Sequence, residues 1–141
     1  MSRIFWDSMI AIYLLEDHPV FAPRAQQLLE RSFKRNDELF TSYLALGEIL
    51  AGASKSPSPR KTAEVEQTLK EIGFSYLPFD RGAVAPFSRL RAQEKLKVAD
   101  CIHLACAASA GIDLFLTGDK QLTKIDMPGI QFIADFTSPI F

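Results

Sequence analysis

Four acidic side chains stand where this sequence is otherwise apolar: Asp7, Glu48, Asp100 and Asp119. Asp7 directly follows the run Ile4-Phe5-Trp6, and Glu48 is bracketed by Leu44, Ala45, Leu46, Ile49, Leu50 and Ala51. Asp100 lies at the head of VADCIHLACAASA, whose apolar residues cover nearly every direction around a helix axis, and Asp119 comes three residues after Leu114-Phe115-Leu116. Brought together, such acids repel, and an unpaired buried charge costs several kcal/mol, so protons or cations must neutralise them. Oxygen ligands of this kind select hard divalent ions, Mg²⁺ or Mn²⁺. Those ions polarise a phosphoryl oxygen and activate a water, and in pairs roughly 4 Å apart they clamp the attacking and leaving oxygens of a phosphodiester. The chemistry these residues point to is metal-assisted phosphodiester hydrolysis.

Asp7 and Glu48 also have purely structural readings. Asp7 is placed to cap the helix that follows on Ile10, Ala11, Leu14 and Leu15, although Ser8 could cap equally well and leave Asp7 for another job. Glu48 could sit at the rim of a buried surface and reach solvent along its stem. A zinc site at Cys101, His103 and Cys106 is geometrically poor, because His103 and Cys106 share a helix face while Cys101 points elsewhere, and structural zinc needs four converging ligands. His103 reads instead as a core histidine, or as one supporting the acids from behind, among Ala99, Cys106 and Ala107. His18 reads as an exposed loop residue without a role. No glycine-rich phosphate loop is present, since Gly52-Ala-Ser-Lys does not match one.

Periodicity and punctuation supply the elements that must hold these acids. Val98 to Ala110 is a core helix that Gly111 stops as a left-handed cap, followed by Leu114–Leu116 as a buried parallel strand. In open α/β sheets ligands bind just past the carboxyl ends of the strands, where Asp119 falls. Ile4–Trp6 is a first strand, and after a break at Pro19 a helix runs from Phe21 to Lys34, with Arg24, Arg31, Lys34 and Arg35 on a solvated face. Leu39–Thr41 is a strand, and Ser42 caps a helix over Tyr43–Ala53. Gly52–Arg60, GASKSPSPR, reads as a mobile Ser/Pro loop. A helix over Thr62–Ile72 ends at Gly73, Ser75–Leu77 is a strand, and Asp80 caps a helix with an interruption at Pro86. Lys120–Lys124 makes a short helix or turn, Gln131–Ile133 a last strand, and Phe132, Phe136 and Phe141 pack. Alternating strands and helices predict a three-layer α/β/α fold with a central, mostly parallel sheet.

At 141 residues, 48% of them hydrophobic, the chain is about one domain and can bury a core without staples. No apolar run reaches the roughly 18 residues of a membrane span and no leader pattern opens the chain, so a soluble, cytoplasmic protein with no membrane contact is expected. Cys101 and Cys106 fall roughly 140° apart on one helix and read as buried thiols. A formal charge of −1 argues against a generally basic surface but leaves room for a local basic groove.

The segments IFWDSMIAIYLLE, TSYLALGEILAG and KLKVADCIHLACAASAGIDLFLTGDKQL, with their spacing, resemble PIN-domain ribonucleases, in particular the VapC-type toxins of toxin–antitoxin pairs. The resemblance covers residues 1–141 as a single PIN domain. It implies that Asp7, Glu48 and Asp100 bind the metal with Asp119 as a fourth acid, that Thr117 supports the site or positions water, and that Ser8 lies at its rim. Gly118 and Cys101 depart from residues common in relatives at those places, and neither removes a proposed ligand. The resemblance further implies a homodimer, a single-stranded or looped RNA substrate, and an antitoxin whose C-terminal segment fills the groove. A basic rim would hold the phosphates, and Arg89, Arg91, Lys95, Lys97 and Lys120 are the nearest candidates in sequence. The alternative is a module that keeps the fold and binds nucleic acid or protein without catalysis; retention of all four acids speaks against it.

Overall fold

The computed structural model describes residues 1–57 and 59–140, so Phe141 and Ser58 of the Ser/Pro stretch lie outside the described residues. Five strands, β1 (Arg3–Trp6), β2 (Glu38–Ser42), β3 (Ser75–Leu77), β4 (Ile112–Thr117) and β5 (Ile130–Asp135), pair in the order β3-β2-β1-β4-β5. Every neighbouring pair is parallel. Around them run α1 (Ser8–Leu15), α2 (Ala22–Arg35), α3 (Tyr43–Lys55), α4 (Thr62–Ile72), α5 (Arg81–Gln93) and α6 (Val98–Ala110), with a 3₁₀ turn at Leu122–Lys124.

Strand alternation divides the core into two layers. Ile4 and Trp6 face one way, with Ile10, Leu28, Ile49 and Val65 of α1 to α4, whereas Phe5 faces the other, with Leu90 of α5 and Leu104 of α6. Phe5 lies opposite Phe40 and Phe115 in the register and stacks on Phe115 at 4.6 Å between ring centres. Helices therefore cover both faces, as an all-parallel sheet requires. The chain adds strands to one side of β1 and then crosses to β4 on the other, which makes the carboxyl ends of β1 and β4 the switch point where such folds form crevices.

Gly111 does take the left-handed conformation (φ 74°), ending α6. Arg3 closes that end: its Nε donates to the Gly111 carbonyl at 3.0 Å and its Nη2 to the Ala110 carbonyl at 3.1 Å, while the guanidinium lies 4.7 Å from the centre of the Phe40 ring. Gly129 (φ 99°) lets the turn before β5 press against the Ala108 backbone, a space that no β-carbon could share.

Several expectations from sequence are corrected. Gly52–Lys55 is helical, because α3 continues to Lys55, with Gly52 set against Ile12 and the Ser54 hydroxyl donating to the Leu50 carbonyl at 3.0 Å. Pro86 does not interrupt α5, which Ala83 and Leu90 bury against its neighbours, so packing overrides the missing N–H. Arg24 is no mere solvated charge: its Nε and Nη2 donate to the carbonyls of Phe136 and Ser138 at 2.8 and 2.7 Å and strap down the C-terminal segment. His18 is half-buried, stacked on Phe21 and edge-on to Tyr13, and its Nδ1 accepts from the Val20 and Phe21 N–H groups at the entry to α2.

Candidate active site

Asp7 is the single residue between β1 and α1, and its N–H donates to the Leu116 carbonyl of β4 at 3.0 Å. It has the extended backbone of an N-cap, yet its side chain makes no capping bond. The carboxylate is held from two other directions: Oδ2 accepts from the Thr117 hydroxyl at 3.0 Å, and Oδ1 from the Ser8 hydroxyl at 3.4 Å. The cap reading of Asp7 is thereby replaced by an acid tethered at the end of β4.

Thr117 is fully buried and works in both directions, since its Oγ1 also accepts from the Asp119 N–H at 3.0 Å. Asp119 is exposed, and its Oδ1 accepts from the Gln121 N–H at 2.9 Å, so one carboxylate oxygen shapes the turn. One buried hydroxyl thus ties together the first and the fourth acid.

Ser42 ends β2 and caps α3, accepting from the Ala45 N–H at 3.0 Å. Its Oγ lies 2.7 Å from His103 Nδ1, and His103 Nε2 lies 2.7 Å from Glu48 Oε1. A carboxylate only accepts, so Nε2 donates to Glu48, and in the neutral imidazole Nδ1 then accepts from the Ser42 hydroxyl, whose oxygen accepts in turn from the Ala45 N–H. Glu48 is held below the usual carboxyl range, chiefly by the hydrogen bond from His103, against a burial effect that pushes it up. Glu48 does not snorkel freely; it is anchored.

Asp100, in the first turn of α6, is pushed above the usual range, first by burial and then by the charge of Asp7. Asp119 adds to the rise, while Lys97 opposes it. A further negative charge is thus penalised at this spot, and a bound cation would relieve that penalty.

The four acids line one hollow of about 460 Å³, together with Ser8, His103, Lys97 and Lys120. Among the described residues no three His, Cys, Asp or Glu side chains close into a finished set of metal ligands. The acids form an open basin of hard oxygen donors, suited to an ion that keeps part of its coordination in water. Cys101 and Cys106 are buried, and burial pushes the Cys106 thiol up to about 11, which suits inert packing.

Of the five basic candidates, Lys97 and Lys120 border the hollow, and Arg89, Arg91 and Lys95 do not. Arg91 has another task, donating from Nη1 to the Leu96 carbonyl at 3.0 Å across the link from α5 to α6. Sequence reasoning missed Ser42 as a site residue, treating it only as a cap, and missed Met9 and Tyr13, which also line the hollow. No local pattern marks the Ser42–His103 pair, whose members lie 61 residues apart.

The PIN domain family model matches residues 4–127. The chain is 31% identical over 123 residues to Ribonuclease VapC23 of Mycobacterium tuberculosis, a match covering 86% of this chain and 96% of that protein. In structure it is similar to VapBC2 of Rickettsia felis bound to a promoter DNA fragment (TM-score 0.75, 16% identity, covering 94% of this chain and 98% of that one). It is similar also to DNA-bound VapBC of Salmonella typhimurium (TM-score 0.73, 20% identity, covering 96% and 99%). Among the described residues no helix is long and apolar enough to cross a membrane. A parallel sheet with an acid-lined hollow at its switch point and a family match over most of its length place this chain in the PIN domain family, in its VapC-type group.

Proposed function

We propose that this chain is an endoribonuclease that hydrolyses RNA phosphodiesters with Mg²⁺ or Mn²⁺, acting in the cytoplasm as the toxin of a toxin–antitoxin pair. The observation that carries the reading is the gathering of Asp7, Glu48, Asp100 and Asp119 in one hollow, where burial and then the charge of Asp7 raise Asp100. These four acids would hold the metal. When bound, such an ion polarises a phosphoryl oxygen and supplies an acidified water as the nucleophile.

The remaining work falls to the chain itself. Thr117 and Ser8 keep the Asp7 carboxylate in place, and His103 does so for Glu48. Lys97 and Lys120 attract the phosphate backbone of the substrate at the border of the hollow. Arg89 and Lys95 are exposed and belong to a more distant electrostatic approach, with Arg91 bracing the loop that carries Lys95 and Lys97.

An antitoxin partner is supported by the solved relatives, which include VapBC complexes and a toxin–antitoxin complex from Klebsiella pneumoniae similar to this chain with a TM-score of 0.67. Homodimerisation and the extent of the PIN domain, residues 1–141, rest on the family resemblance.

The test is incubation of the partner-free protein with a mixed RNA pool, with Mg²⁺ or Mn²⁺ and with EDTA, beside Asp100→Asn. Cleavage that needs both the metal and Asp100 is expected. Cleavage that survives EDTA would overturn the metal reading, and loss of both cleavage and metal binding in the native protein would leave the non-catalytic binding module.

A further inference from the structure

We infer that His103 is a positioning residue whose hydrogen bond sets the metal affinity of Glu48, and that Ser42 sets His103 in turn. The inference rests on the reading of the hollow as a metal site and adds to it the device that makes one ligand ready.

Glu48 needs such a device more than Asp7 does. Asp7 is short and 8% exposed, whereas the Glu48 side chain is 37% exposed and has one more bond to order. Holding a long exposed side chain in one geometry costs rotamer entropy, which a ligand would otherwise lose at the moment of binding. His103 removes that freedom beforehand, because it is itself immobile: 2% exposed, and bonded at both ring nitrogens at 2.7 Å.

Direction matters as much as rigidity. The imidazole helps only if Nε2 carries the proton, because the other neutral tautomer would aim a lone pair at the carboxylate. Ser42 supports the useful tautomer, since its hydroxyl can give its proton to Nδ1 while its Oγ accepts from the Ala45 N–H. Outer partners that orient metal-bound groups in this way commonly contribute 10–100-fold to affinity or activity.

The chain of bonds also joins the two layers of the fold. Ser42 and Glu48 belong to the β2–α3 unit, while His103 sits on α6 one helical turn from Asp100. A shift of α6 against α3 would therefore move Asp100 and release Glu48 together.

Mn²⁺ binding measured by calorimetry tests this in the native protein, His103→Ala, His103→Gln, Ser42→Ala, Glu48→Gln and the double variant Glu48→Gln/His103→Ala. His103→Ala is expected to weaken Mn²⁺ binding by about 10–100-fold. Ser42→Ala should weaken it in the same direction, and His103→Gln, which returns an N–H donor and most of the volume, should recover part of the loss. In the Glu48→Gln background the His103→Ala change should all but vanish, because positioning acts only through its target. If Glu48→Gln binds too weakly for that comparison, or His103→Ala fails to fold, the contrast of His103→Gln and Ser42→Ala with the native protein decides. Native affinity in Ser42→Ala and no recovery in His103→Gln relative to His103→Ala, or equal losses with and without Glu48, would overturn the positioning role alone. A native protein that binds no Mn²⁺ would overturn the metal reading and this inference with it.

Discussion

Replacing Thr117 by Val keeps the shape of a fully buried side chain and removes its oxygen. Two bonds go with that oxygen, one to Asp7 Oδ2 at 3.0 Å and one from the Asp119 N–H at 3.0 Å. A hydrogen bond to a carboxylate contributes about 1.5–3 kcal/mol, and an N–H left without a partner costs about 1 kcal/mol more. Little water can replace the first, because Asp7 is only 8% exposed. The sum is a loss of roughly 2–4 kcal/mol, which for a domain of this size lowers the melting temperature by about 6–12 °C. Thr117→Ser is the control: it keeps the oxygen and loses one methyl, a cost of about 1 kcal/mol by burial. Thermal and urea unfolding with EDTA present should therefore rank native above Thr117→Ser above Thr117→Val. RNA cleavage should fall further in Thr117→Val, whose Asp7 carboxylate is free to swing. If Thr117→Val proves as stable as Thr117→Ser, the hydroxyl is not holding Asp7 and the reasoning fails.

Other consequences follow from the same contacts. Asp100 has a folded pKa above its unfolded value, so its contribution to stability is fully present below the unfolded pKa and is lost as pH rises through the folded one. Asp100→Asn should accordingly melt higher than the metal-free native protein near pH 7, by a margin that disappears by about pH 4, where the unfolded carboxyl is half protonated; an equal margin at both values would contradict the assigned cause. Gly129→Ala must place a β-carbon against the Ala108 backbone at φ 99°, and a loss of at least ~2 kcal/mol in urea unfolding is expected. The Cys106 thiol, 2% exposed and raised to about 11, should resist alkylation in the native state near neutral pH and react once urea unfolds the chain. Fast native labelling at Cys106 would show that the α6 layer opens readily.

The legible part of this chain was the part written in local contrast. Asp7 after Ile4–Trp6, Asp100 on a largely apolar helix and Asp119 beyond β4 each break a hydrophobic run at an element end, and parallel topology then carries such ends to one side of the sheet. Glu48 was visible for the same reason, inside α3 rather than at its end. What could not be read were partnerships between distant elements. His103 sits in the core, with Cys101 and Cys106 also buried, and nothing local shows that its two nitrogens face Ser42 and Glu48. Arg24 fits the charged stripe of α2 and yet bonds carbonyls 112 and 114 residues away. The end of α3 and the continuity of α5 through Pro86 were missed because local propensity is weaker than the packing of Gly52 on Ile12 and of Ala83 and Leu90 in the core. The basic stretch divides in a way no local pattern marks, since Arg91 donates to the Leu96 carbonyl while Lys97 borders the hollow.

The central claim is that this acid-lined hollow hydrolyses RNA. Cleavage of an RNA pool in ¹⁸O-labelled water, under single turnover with Mn²⁺, tests it most directly. The account predicts one labelled oxygen on the phosphate left at each cut, with a hydroxyl on the other end, no 2′,3′-cyclic phosphate, and no products from Asp100→Asn or with EDTA. Cyclic phosphate ends without label, or full cleavage by Asp100→Asn, would contradict it.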